Sequence, residues 1–263
     1  MHPLIARFID LPVAVATLDK LENEATLDSD ESAFINAASA FPKARAAVLK
    51  ARNSKSPSPE AQQQLIVLAV RAAAGRLAFD PTLGPRVATA KAALEKEGAT
   101  PEEAEALIAQ TLLEEAFGYA EDPEAFDADF VAETLESLVY LATVTQESID
   151  GWLEAFSKKA PAGDRPLAVK VAETLLEAAW SDGPQPITPE HLDDAIDQLA
   201  QSVASSEVPK AIELVIALLA FLAEQRILGP ERRKRLEQIA GSARNAGVEV
   251  SDEEEEEDAD EDE

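Results

Sequence analysis

Cysteine is absent from the 263 residues, and with it go disulfides, thiolate nucleophiles and zinc sites built on sulfur. A chain with no use for thiols fits a reducing compartment, so a cytoplasmic location is expected. Histidine occurs only as His2 and His191, which leaves no material for a histidine-rich metal site or a histidine-based triad. His2 is expected at a frayed chain end. The ten glycines are scattered, and none falls in a Gly-x-Gly-x-x-Gly pattern or a P-loop, so nucleotide chemistry has no foothold. Long apolar runs are missing too. The longest, Leu214 to Ala223, falls far short of the roughly 20 residues that a membrane span requires. Met1 to Arg7 lack the basic and apolar regions of a secretory signal. No cofactor is implied by these patterns.

Alanine, leucine and glutamate dominate what is there, and β-branched runs are few, a vocabulary that favours helix throughout. An all-α fold is predicted. Apolar residues recur at one-face spacing in four stretches: Ile149, Trp152, Leu153 and Phe156; Ala168, Val171, Ala172, Leu175 and Ala179; Leu192, Ala195, Ile196, Leu199 and Val203; and Leu236, Ile239, Ala240 and Ala243. From Ile212 to Ala223 the apolar side chains surround the whole circumference, with Glu213 the only charge. That helix is predicted to be covered on most sides, at the centre of the C-terminal half. Ser58-Pro59-Glu60, Thr100-Pro101-Glu102-Glu103, Thr188-Pro189-Glu190 and Gly229-Pro230-Glu231 each place a capping-type residue before proline, with acid in the first turn. Four helix starts are thereby marked. Trp152, Phe156 and Trp180 are read as core.

Val131-Ala132-Glu133-Thr134-Leu135 returns 40 positions later as Val171-Ala172-Glu173-Thr174-Leu175. Thr145, Ile149 and Leu153 correspond in the same way to Thr188, Leu192 and Ile196, 43 positions later. In period and pattern this resembles the stacked helical hairpins of HEAT and armadillo repeats, which implies an α-solenoid in which each hairpin covers its neighbour. An irregular helical bundle fits the same pattern. Three segments are expected: an N-terminal helical segment over 1–53, a helical-hairpin domain over 60–248, and an acidic tail over 249–263.

Net charge is −28 and unevenly placed: residues 32–59 carry +5 and 60–100 carry +1, whereas 101–163 carry −13, 164–208 carry −7 and 251–263 carry −11. The last of these segments holds no large apolar side chain to offset the entropy of ordering, and disorder is predicted there. An acidic middle and tail repel nucleic acid and anionic lipid and attract basic proteins. Two basic clusters stand out: Lys43, Arg45, Lys50, Arg52 and Lys55, and the run Arg232, Arg233, Lys234 and Arg235, with Arg226 upstream. The four residues of that run, together with Glu253, Glu254, Glu255, Glu256 and Glu257, are the candidate partner-binding residues. The tail follows the basic run closely enough to mask it.

Asp193-Asp194-Ala195-Ile196-Asp197 lies on a predicted helix and resembles the magnesium-diphosphate motif of all-α terpene and prenyl synthases. That resemblance implies a magnesium-dependent enzyme in which Asp193, Asp194 and Asp197 hold the metal. The first turns of a helix also favour acids through the helix dipole, whatever the function. Glu190 and Asp194 share a face that His191, about 100° round the helix, largely leaves, so His191 is expected to be solvated. Three functions follow. The first is a non-enzymatic scaffold or adaptor that binds proteins of basic surface through an acidic tail. The second is the magnesium enzyme. The third is an acidic chaperone or nucleic-acid mimic presenting the carboxylates of 101–208.

Overall fold

The computed structural model describes residues 1–23, 25–54, 57–118, 126–181 and 183–257, with the side chains of residue 22 and of 246–257 left out. Among the described residues the regular elements are all helical, as the composition predicts. In chain order they are α1 (Pro3–Phe8), α2 (Leu11–Glu22), α3 (Ser29–Ala40), α4 (Pro42–Lys50), α5 (Pro59–Leu77), α6 (Gly84–Lys96) and α7 (Pro101–Leu113), which runs on into a π-helical turn, Glu114–Gly118. Then come α8 (Ala128–Leu141), α9 (Gln146–Lys159), α10 (Arg165–Trp180), α11 (Pro189–Ser202), a short 3₁₀ turn, α12 (Val208–Glu224) and α13 (Pro230–Glu257). No described helix is long and apolar enough to cross a membrane.

The four predicted starts fall at the prolines that open α5, α7, α11 and α13. Local hydrogen bonds explain why. The Ser58 hydroxyl accepts from the Ala61 amide at 3.2 Å, and Thr100 and Glu103 cap each other's backbone amides at the start of α7. Each cap satisfies amides that the helix itself leaves bare, an effect of about 1 kcal/mol.

The chain divides into two compact units, Met1–Leu135 and Glu136–Glu263, the division falling in the sequence of α8. The N-terminal segment expected over 1–53 is helical, and its α3 and α4, before the linker, both pack against α5, after it. Phe34, Ile35, Ala44 and Val48 are buried, and α3 and α4 pack on each other and on α2 as well as on α5. In this first unit α5 is the hub, packed by α1, α3, α4 and α7. Its Leu65, Leu68, Ala69, Ala72, Ala73 and Leu77 are buried. Phe8 stacks on Phe34 with ring centroids 4.4 Å apart.

In the second unit α10 packs on α9, α11 and α12, and α12 on α13. Val215, Leu218, Leu219 and Leu222 of α12 are buried, and Phe221 meets Phe156 at 5.7 Å between ring centroids. Coverage is less complete than the composition predicts, because Glu213, Ala217 and Glu224 form an exposed line along α12. The backbone of α13 continues to Glu257; the side chains of Glu253–Glu257 and residues 258–263, on which the expectation of a disordered tail rests, lie outside the described residues.

One buried carboxylate ties the early helices of the first unit together. Glu31, 4% exposed, caps α3 reciprocally with Asp28, accepting from the Asp28 amide at 3.1 Å. It also accepts from Lys20 Nζ at 2.5 Å and from an Arg7 guanidinium nitrogen at 3.1 Å. The Lys20 ammonium, and after it the Asp28 amide, hold the Glu31 carboxyl below the ordinary glutamate value of 4.5.

Two outcomes are expected. Leu219→Asp leaves a charge in the core of the second unit and should cost about 3–5 kcal/mol. Trp152 and Trp180 both belong to that unit, so urea unfolding followed by tryptophan fluorescence reads the loss directly; a wild-type midpoint would mean α12 is not a core helix. The depressed Glu31 carboxyl gives the first unit stability that is present above its ordinary value of 4.5 and lost as pH falls below it. Glu31→Gln should therefore melt below wild type at pH 7, with the gap closing on acidification. A gap that stays constant from pH 7 to pH 3, followed by far-ultraviolet circular dichroism, would contradict the linkage.

Candidate functional site

The acidic motif lies in the first turns of α11, and Asp193, Asp194 and Asp197 are all exposed. Partial desolvation, and after it the charges of Asp197 and Asp194, push the Asp193 carboxyl above its ordinary range. Among the described residues no three histidine, aspartate or glutamate side chains stand close enough together to hold a metal ion. His191 has a structural task that the sequence reading missed. Its Nδ1 accepts from the Thr188 amide at 3.3 Å, while the Thr188 hydroxyl accepts from the His191 amide at 3.2 Å. His191 thus completes the cap of α11 and is only partly exposed. His2, expected to fray, likewise caps α1, accepting from Leu4 at 3.2 Å.

The basic run at the start of α13 is divided. Arg232 is 2% exposed and donates to the Ile187 carbonyl at 2.8 Å, joining the loop before α11 to the first turn of α13. Arg233 pairs with Glu237 at 2.6 Å, and Lys234 faces solvent. Arg235 is partly exposed. Of the run, Arg233, Lys234 and Arg235 therefore reach solvent and Arg232 does not. The signal was present in the spacing: Arg232 precedes Leu236 and Ala240 by one and two turns, on the same buried stripe. Arg226 donates to the Tyr140 hydroxyl at 2.7 Å. In the other basic cluster Arg52 pairs with Asp19, Lys43 and Lys50 are exposed, and Lys55 lies outside the described residues. Trp180 and Phe156 are core residues as expected.

None of these positions lines a further concavity, which sequence reasoning did not find. It is a cleft of about 990 Å³ in the first unit, walled by α3, α5, α6 and α7. Helix α3 contributes Ser29, Ser32, Ala33, Asn36, Ala37 and Ala40, one continuous face at three- and four-residue spacing. Helix α5 and the turn after it contribute Arg71, Ala74, Gly75, Ala78 and Phe79, spaced the same way. Both faces are small-sided, so they read as neither core nor charge in a search for large apolar stripes. A Cβ built on Gly75 meets nothing within 4 Å, so that position opens directly on the cleft.

Three cations and two acids line the cleft. Arg76 pairs with Asp30 at 3.4 Å and Lys91 with Glu105 at 2.6 Å. Arg71, half-buried, lies 5.1 Å over the Phe41 ring and has no carboxylate partner among the described residues. Phe79, at the rim, is 78% exposed, about twice as much as any other large apolar residue described. Small apolar surface, one amide, one available guanidinium and an exposed aromatic ring are the means of recognition. Compared with protein-family models, curated proteins and solved structures, the chain matches none.

The exposed acids of α11 generate a direct test. With no clustered ligand set around Asp193, millimolar magnesium should leave the melting temperature unchanged to within about 1 °C, and Asp193→Ala with Asp197→Ala should not alter that response. A magnesium-dependent rise of several degrees that disappears in the double variant would restore the metal site.

Proposed function

We propose that the chain is a non-enzymatic adaptor that binds other proteins, with the cleft of the first unit as one binding surface and the acidic tail as another. The observation that carries this reading is the cleft, where small side chains on α3 and α5 leave room and Phe79 offers an unburied aromatic anchor. Exposed aromatic residues beside a concave apolar surface are the usual energetic centres of protein interfaces. The tail, at −11 over residues 251–263, supplies charge for a partner of basic surface, with an attraction that salt screens. Two surfaces of different chemistry are what joining two partners requires.

Gly75 allows the reading to be tested without disturbing the core. Gly75→Ala should raise stability by about 0.5–1 kcal/mol, since glycine is costly within a helix and the added methyl meets open space. Gly75→Trp should fill the cleft while leaving the helical content unchanged. Proteins retained from lysate on the immobilised full chain should then include at least one that wild type and Gly75→Ala hold equally and Gly75→Trp retains at least tenfold less. Identical retention by all three would remove the cleft from the function.

A further inference from the structure

We infer that the occupant of the cleft is a helical segment of a partner protein, with small or medium apolar side chains on one face and a carboxylate placed to meet Arg71. This rests on the adaptor reading and narrows it to one class of ligand. Backbone chemistry excludes the main alternative mode. The walls are helices whose amides and carbonyls are already paired within the helix, so an extended peptide finds no strand edge to join. A helical ligand brings its own backbone hydrogen bonds and needs only a surface that its side chains can enter. The α3 face from Ser29 to Ala40 runs about 16 Å at 1.5 Å per residue, the length of about three helical turns. Alanine along both walls and Gly75 on α5 permit close approach, and Phe79 at the rim supplies an aromatic contact.

Charge decides the sign of the ligand. Of the three cleft cations, Arg76 and Lys91 are already paired with Asp30 and Glu105. Arg71 alone is held by a ring face only, at 5.1 Å over Phe41. A guanidinium whose neighbour is a ring face makes no hydrogen bond to it and keeps its N–H donors for a carboxylate, which can accept two of them in parallel. Of the four walls, α5 and α6 are net basic, whereas α3, with Asp30 and Glu31, and α7, with Glu102, Glu103 and Glu105, are net acidic, so the sign of the ligand rests on Arg71, the cleft cation without a carboxylate partner among the described residues. Glu102, the wall acid with no ion pair among the described residues, is exposed at the first turn of α7, where solvent and the helix dipole absorb its charge.

The test uses the full chain and a displayed library of random 16-residue peptides biased towards helix. Selection on wild type, after depletion on Gly75→Trp, isolates sequences that require the cleft. The expected winners carry apolar residues at three- and four-residue spacing with at least one aspartate or glutamate. A synthetic copy of such a peptide should bind at least fivefold more weakly to Arg71→Ala by fluorescence anisotropy. Replacing its acid by lysine should abolish binding to wild type and restore binding to Arg71→Glu, a rescue that a merely unfolded variant cannot give. Winners that are neutral or basic, or indifferent to Arg71→Ala, would overturn the inference and leave the adaptor reading standing. If no peptide depends on the cleft, while the amphiphile anilinonaphthalene sulfonate binds wild type and is excluded by Gly75→Trp, the cleft is a small-molecule pocket, and both readings of it fall.

Discussion

Helix α5 has to be covered from several directions at once, and the first unit is the consequence. Its nineteen residues bury leucine, valine and alanine over most of the circumference, which no single partner helix can accomplish. Helices α1, α3, α4 and α7 arrive to do so from both sides of a short linker. In its C-terminal half they leave open a line through Arg71 and Gly75, continued by Phe79 in the turn beyond the helix, at four-residue spacing and more exposed towards its end. The cleft is the side of α5 that the chain itself does not cover. Site and core are thus two faces of one helix, and the same periodicity specifies both.

Much of the fold was legible because its signals are local. Proline after a capping residue marks a helix start whatever the tertiary structure, and Ser58, Thr100 and Thr188 do cap as their sequence context predicts. Features that depend on long-range pairing were not legible. Nothing near Glu31 announces that Arg7 and Lys20 will converge on it, and nothing in the linker at 53–58 announces that α3 and α4, before it, pack against α5, after it. Arg232 is the instructive intermediate case. Its position in the stripe of Leu236 and Ala240 indicated burial, but a run of four basic residues suggests a surface, and residue type was given more weight than spacing.

The candidate site was hidden for a related reason. Searches for function favour residues that can do chemistry, which led to the aspartates of α11, all exposed and beyond the first turn, where Glu190 is the acid. The cleft is made instead from residues chosen for what they lack. Alanine and glycine contribute neither charge nor bulk, and only the packing of α3 beside α5 turns their smallness into a concave surface. Arg71 gains significance from its neighbours in space, Phe41 beneath it and paired cations around it, and from nothing adjacent in the chain.

The alanines of α5 also bear on how this chain can change over time. Ala69, Ala72 and Ala73 are at most 1% exposed, pressed among the helices that cover α5. A buried leucine can exchange with methionine or isoleucine at modest cost, because the volume is nearly conserved. A buried alanine has no such neighbour in size: glycine loosens the helix, and every larger residue forces the covering helices outward, at about 1–3 kcal/mol for each overpacked site. Drift in this unit is therefore most restricted at its smallest side chains, and relatives that diverge in their large core residues should still keep the small ones.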